Sequence, residues 1–195
     1  MQRQTSPSMT DTITRTESTR VSLWRAQAIA FLRVAFGIVW AIDAWLKWQP
    51  EFIKSFSDQV TGAQKDQAPL VQSWISFWGH VVASNPTLFG YLTASIETAL
   101  AVFLIFGALT HLTCVVGFLW SLAIWAIPEG FGGPYKPGDS TDVGTGLLYA
   151  FLFAFLFAIA AGRYYAVDQW LTPRLGRLGI LASGWPWRKS SANTH

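Results

Sequence analysis

The stretch "FLRVAFGIVWAIDAWLKW", Phe31–Trp48, is apolar at every position except Arg33, Asp43 and Lys47. Followed back to Ala26, the run covers 26–48, and a hydrocarbon core takes about 20 helical residues to cross. Three further runs have the same character, at 87–109, 112–127 and 143–162. All four are continuous rather than alternating, which excludes a closed barrel and leaves helices as the way to satisfy the backbone in lipid. The expected fold is therefore all-α, an integral membrane four-helix bundle occupying 26–163.

Composition agrees. Of the 195 residues, 51% are hydrophobic and 13% charged, against about a quarter charged in a soluble domain. Eleven tryptophans suit wide aromatic interfaces. The net charge of +3 gathers at the chain's two ends and forms no basic stripe, so nothing points to nucleic acid. The lone Cys114 excludes an intrachain disulfide and a CxxC redox motif.

Residues 1–25 are polar, rich in Ser and Thr, and lack the apolar core of a secretory signal; a disordered tail is expected there. The tail carries Arg3, Arg15, Arg20 and Arg25, and 164–195 carries Arg174, Arg177, Arg188 and Lys189. The bias of Lys and Arg toward the cytoplasm then places both termini inside. The segments 51–86 and 128–142 face outward, and 164–195 lies along the inner face beside Trp170, Trp185 and Trp187. Within the first outer loop, "APLVQSWISFWGHVVASNP" puts Val71, Trp74, Ile75, Trp78 and Val82 on one helical face. This suits an amphipathic helix in the interface plane, or one packed on the bundle mouth. In the fourth span Gly146, Ala150, Ala154, Ala158 and Gly162 recur every fourth residue, a spacing that lets a second helix approach closely, from this chain, a second copy or another protein.

Ionisable residues within a span are costly and mark function. Arg33 and Glu97 fall at similar mid-span depth, and a lone charge there costs about 2.5 kcal/mol or more, so a pair is expected, with Arg33 holding the Glu97 carboxylate. Asp43 lies nearer the outer end, four residues from Lys47, a spacing that also forms a simple ion pair. Glu129 closes the third span and Asp142 opens the fourth, where it, Ser140 or Thr141 can cap the helix. Together with Trp40, Trp45, Trp125 and Tyr135 these acids outline a polar cluster beside an apolar outer mouth, the usual setting of a small-molecule site. His80, His111 and His195 fall at different levels, which disfavours bis-histidine haem. There is no Cys/His cluster for zinc, and the glycines lack the Lys and preceding strand of a phosphate loop.

The segments "PEGFGGPYKPGDSTDVGTGLLYAFLF" (128–153), "GRYYAVDQWL" (162–171) and Phe31–Trp48 resemble the DoxX/DoxD-like membrane proteins, the small-subunit type of thiosulfate:quinone oxidoreductase. The resemblance covers 31–171. It implies a subunit of a quinone-linked oxidoreductase system in a bacterial or archaeal plasma membrane, with quinone as acceptor and a second redox subunit beside it. No flavin site is recognisable, so electrons would come from a partner. On that basis Glu97 and Asp43 are the candidates for handling the proton, and Arg33, Glu129, Tyr135 and Asp142 for binding. The alternative is a non-enzymatic anchor that docks a partner through the Ala/Gly stripe.

Overall fold

A computed structural model describes residues 9–135 and 142–183, with side chains from residue 22 onward. Lys136, Asp139, Ser140, Thr141, Trp185, Trp187, Arg188, Lys189 and His195 lie outside the described residues. Among those described the chain is all-helical: α1 Met9–Lys47, α2 Pro50–Gly62, α3 Pro69–Ala83, α4 Pro86–Phe106, α5 Thr110–Ala126, α6 Thr145–Ala158, α7 Asp168–Arg174 and α8 Gly179–Ala182. Two stretches, Ser22–Lys47 of α1 and α4, are long and apolar enough to cross a membrane; α5 and α6 are apolar but shorter, at 17 and 14 residues.

Local signals set the boundaries. Pro50, Pro69 and Pro86 each open a helix, where the missing N–H is no loss and φ is already helical. Asn85 Oδ1 accepts the Leu88 N–H at 3.1 Å to cap α4. Gly107, at φ +64, ends it in the left-handed conformation, with Ala108 N–H returning to Phe103 O at 3.1 Å.

The long helices pair as α1 with α4 and α5 with α6. Gly37 brings α1 against the backbone of Ile105, since a Cβ there would stand 3.0 Å from Ile105 N. The two pairs close over an aromatic core. Phe36 meets Phe153 edge-on at 4.8 Å, and the fully buried Trp40 lies 5.6 Å from both Tyr149 and Phe153. Phe153 fits because Gly117 of α5 leaves room for its ring. One end of the bundle carries α2, α3 and the described parts, 128–135 and 142–144, of the Gly/Pro segment that joins α5 to α6; the other carries α7, α8 and the α4–α5 turn.

Several expectations change. Residues 9–25 are not a separate disordered tail but the first turns of α1. Once the apolar stretch has nucleated a helix, each further residue needs only propagation. Residues 50–62 form a helix of their own, α2. The fourth span's helix ends at Ala158, because Ala160 turns left-handed at φ +49 and leads into a 3-10 turn, Ala161–Arg163. The small-residue stripe does not form one face: Gly146, Ala150 and Gly162 are buried while Ala154 and Ala158 are exposed. A four-residue step rotates about 40° on a helix of 3.6 residues per turn, so the stripe winds from α5 outward.

Gly117→Ala is expected to destabilise the fold by about 1–3 kcal/mol by pressing on the Phe153 ring. The check is thermal unfolding in detergent. Phe153→Leu placed beside it should recover part of the loss, and strictly additive losses would refute the contact.

Candidate functional site

The buried charges separate along the α1–α4 pair, Arg33 meeting the last turn of α4 and Glu97 lying in its middle beside the end of α1. Arg33, fully buried, does not meet Glu97. Its Nη1 donates to Leu104 O at 2.5 Å and Ile105 O at 3.2 Å, and its Nη2 donates to Tyr165 O at 2.9 Å. The last carbonyls of a helix have no intrahelical partner and carry the negative end of its dipole. A guanidinium with five donors satisfies several of them at once. Arg33 is thus a cap on α4, and the expected Arg33–Glu97 pair is corrected.

Beside it Asp168, buried at 1% exposure, accepts Leu109 N–H at 2.6 Å, Thr110 N–H at 2.8 Å and Ser183 Oγ–H at 3.1 Å. It caps α5, which has no side-chain cap of its own. Gly162 lies against this group, where a side chain would strike Asp168, Thr110 and Ser183. Val167 N–H and Asp168 N–H donate to Phe106 O and Gly107 O, each at 3.0 Å. His111 Nδ1 donates to Ile180 O at 2.9 Å. The 161–183 segment is therefore clamped onto the α4–α5 turn. Its sequence signal was the isolated acid in "GRYYAVDQWL", set among aromatic residues.

At the other end Lys47 Nζ lies 3.3 Å from Glu97 Oε2 and 3.6 Å from Asp43 Oδ1. Glu97 is 1% exposed. Asp43 and Glu97, from different helices, are thus brought together, with Lys47 between them. Lys47 also stands 5.3 Å from the centre of the Phe52 ring. Glu97 and Lys47 line the base of a cavity of about 490 Å³ walled by Phe52 and Phe56 of α2, Trp74 and Trp78 of α3, Phe89 of α4 and Trp120 of α5. Glu97 Oε1 and the indole nitrogens of Trp78 and Trp120 are buried without a well-formed hydrogen bond, although Trp120 sits beside the Glu97 carboxylate. On α3, Ile75 and Val82 are buried and Trp74 Nε1 donates to Ala126 O at 3.1 Å, so this helix packs on the bundle mouth and roofs the cavity.

The remaining candidates divide. Glu129 reaches the cavity rim, but both its carboxylate oxygens accept the Gly146 N–H, at 3.1 and 3.0 Å. It caps α6, which also lacks a cap of its own. Asp142 accepts the Gly144 N–H at 2.8 Å in a local turn just before α6 and does not supply the helix cap that its sequence position offered. Tyr135 is 55% exposed and its hydroxyl donates to Phe131 O. Neither Tyr135 nor Asp142 lines the cavity. Trp40 belongs to the core and Trp45 faces outward at 63% exposure, so neither forms the expected rim. Trp125 Nε1 donates to Val143 O at 2.8 Å and holds the Gly/Pro segment's return. Among the described residues no cluster of three or more His, Cys, Asp or Glu is placed to hold a metal ion.

No protein-family model, curated protein or solved structure matches the chain.

Asp168→Asn leaves one acceptor oxygen for three donors and turns an NH₂ toward them. Each buried group left unpaired costs about 1–3 kcal/mol. The expected result is faster tryptic cleavage after Arg174 and Arg177, with α1–α6 still folded. Unchanged cleavage would remove the clamp role from Asp168.

Proposed function

We propose that the chain is a four-span membrane subunit of the DoxX/DoxD type, serving a quinone-linked oxidoreductase of the thiosulfate:quinone kind, with the quinone ring held in the aromatic cavity near the outer face. The observation that carries this is the cavity itself: an aromatic chamber lined by a buried carboxylate, Glu97, whose Oε1 makes no well-formed hydrogen bond. Its volume lies within the range of small-molecule sites, about 300–1,000 Å³. Bound quinone would accept electrons from a second redox subunit and protons from the site. Glu97, with Asp43 linked to it through Lys47, is the group positioned to hold a proton at the cavity base.

Membrane placement is supported by what the bundle leaves uncovered. Inside the fold only 28% of the α1 apolar window and 39% of the α4 window are buried. Phe31, Ile42, Trp45, Phe106, Leu119 and Phe151 are all exposed. Contiguous apolar surface of that kind belongs to a membrane or a partner. With both termini cytoplasmic, α2, α3 and the cavity face outward and α7 and α8 lie on the inner side. In a Cys114→Ser background, Lys65→Cys is then expected to react with an impermeant maleimide on intact cells, and Arg177→Cys only after permeabilisation. The reverse pattern overturns the orientation.

Glu97→Gln combined with Asp43→Asn is expected to lower quinone reduction in native membranes about 100-fold or more, the range of lost acid–base catalysis. Activity retained at the level of the unmodified protein would end the proton role.

The anchor alternative has its own support. Ala154 is exposed and lines a shallow apolar groove with Cys114, Val115, Phe118, Leu119 and Phe157, a shape that accepts a helix of a partner subunit or a second copy.

A further inference from the structure

We propose that the aromatic cavity selects a neutral ring bearing a hydroxyl group, the hydroquinone rather than the quinone, and rejects anions, thiosulfate included. The proposal deepens the quinone reading and rests on it for the class of ring. It assigns which redox form is held tightly here and sends the sulfur substrate elsewhere.

The exclusion of anions follows from the charge at the base. Lys47 is the one cationic side chain among the cavity-lining residues, against the carboxylates of Glu97 and Glu129. Its ammonium is already committed, to Glu97 at 3.3 Å, to Asp43 at 3.6 Å and to the face of Phe52 at 5.3 Å. An incoming anion would leave water for a low-dielectric chamber with no free cation and an excess of negative groups among its described lining residues. Neither its desolvation nor its repulsion from Glu97 would be offset.

The preference for a hydroxyl follows from hydrogen bonding. Glu97 pairs with Lys47 through Oε2, and its Oε1 and the Trp120 indole beside it, both buried, have no well-formed bond, only their imperfect contact with each other, which a ligand hydroxyl placed between them would replace. A phenolic hydroxyl carries one O–H and two lone pairs. It therefore donates to Glu97 Oε1 and accepts from the Trp120 indole at the same point. A quinone carbonyl answers only the indole and sets a second acceptor against the carboxylate. Trp78 Nε1, also buried without a partner on the cavity wall, is a second donor available to the ring's other oxygens. The surrounding aromatic faces suit a flat ring.

The test is calorimetric titration of the full chain in lipid nanodiscs under anaerobic conditions. The probes are a short-chain benzoquinol, the matching benzoquinone, the quinol's dimethyl ether and sodium thiosulfate. The quinol is expected to bind at least about tenfold tighter than the benzoquinone and the ether, since a site with an unmet acceptor discriminates strongly against ligands without a donor. Thiosulfate should neither bind nor compete. Ala123→Phe, which fills the cavity from α5 without touching its charges, should abolish quinol binding. In Glu97→Gln the amide oxygen goes to Lys47 and the NH₂ turns to the ligand, so the order should invert, with benzoquinone and ether above quinol. A general loss of packing would weaken all three alike.

Equal affinity for quinol and ether overturns the proposal with no variant required. Thiosulfate binding that Ala123→Phe removes overturns the charge exclusion. Ring binding that survives Ala123→Phe overturns the site while leaving the quinone reading with another location. Failure of every ring to bind overturns both.

Discussion

A guanidinium buried in an apolar bundle must find acceptors, and Arg33 finds them at the end of α4. The carbonyls of Leu104 and Ile105 need donors as much as Arg33 needs acceptors. This one exchange fixes several other things. It sets the register of α1 against α4, and Gly37 then meets Ile105 where a larger residue would collide. It requires glycine at 107, because any Cβ there would stand on the Arg33 guanidinium. Through Tyr165 O it draws in the segment that carries Asp168, whose carboxylate then caps α5.

With Arg33 occupied, Glu97 is left to a different partner. Lys47 answers it from the same helix that carries Arg33, and Asp43 shares the ammonium. The two buried charges of the α1–α4 pair are thus neutralised separately, one by carbonyl dipoles and one by a lysine. The arrangement is more open than a direct Arg33–Glu97 bridge. A bidentate arginine would have taken both carboxylate oxygens, whereas Lys47 takes one and leaves Oε1 beside the Trp120 indole without a well-formed bond.

Much of the fold was legible because its signals are local. The apolar runs marked the end of α1 and the bounds of α4, α5 and α6 within a few residues, and the period of Val71, Trp74, Ile75, Trp78 and Val82 marked α3. The extension of α1 to Met9 was missed because composition argues for disorder while helix propagation depends on what lies downstream. α2 was missed because "PEFIKSFSDQV" reads as a polar loop when its partner Gly90, against Ile53, is unknown. The site was legible in its residue types and not in its pairing. Depth along a span identified Arg33, Asp43 and Glu97 as the residues to explain. It could not say that Arg33 lies level with the end of α4, since a shift of one or two turns changes every partner. Four of the cavity's aromatic walls, Phe52, Phe56, Trp74 and Trp78, came from a stretch that the sequence placed outside the bundle.

The Gly/Pro segment and the 161–183 segment solve the same problem at opposite ends. Neither α5 nor α6 has a side chain of its own at the N-cap, yet each presents free N–H groups and a positive dipole end that favour a carboxylate. Asp168 supplies it to α5 and Glu129 to α6, each from a separate element. Asp142 closes its own turn at Gly144. These three acids are therefore explained by the backbone they satisfy. Glu97 is not: it sits in mid-helix, where no backbone donor is free, and Lys47 engages only one of its oxygens. What folding leaves poorly satisfied is its Oε1, beside the Trp120 indole at the wall of the aromatic chamber, and a ligand able to donate a hydrogen bond is what would complete it.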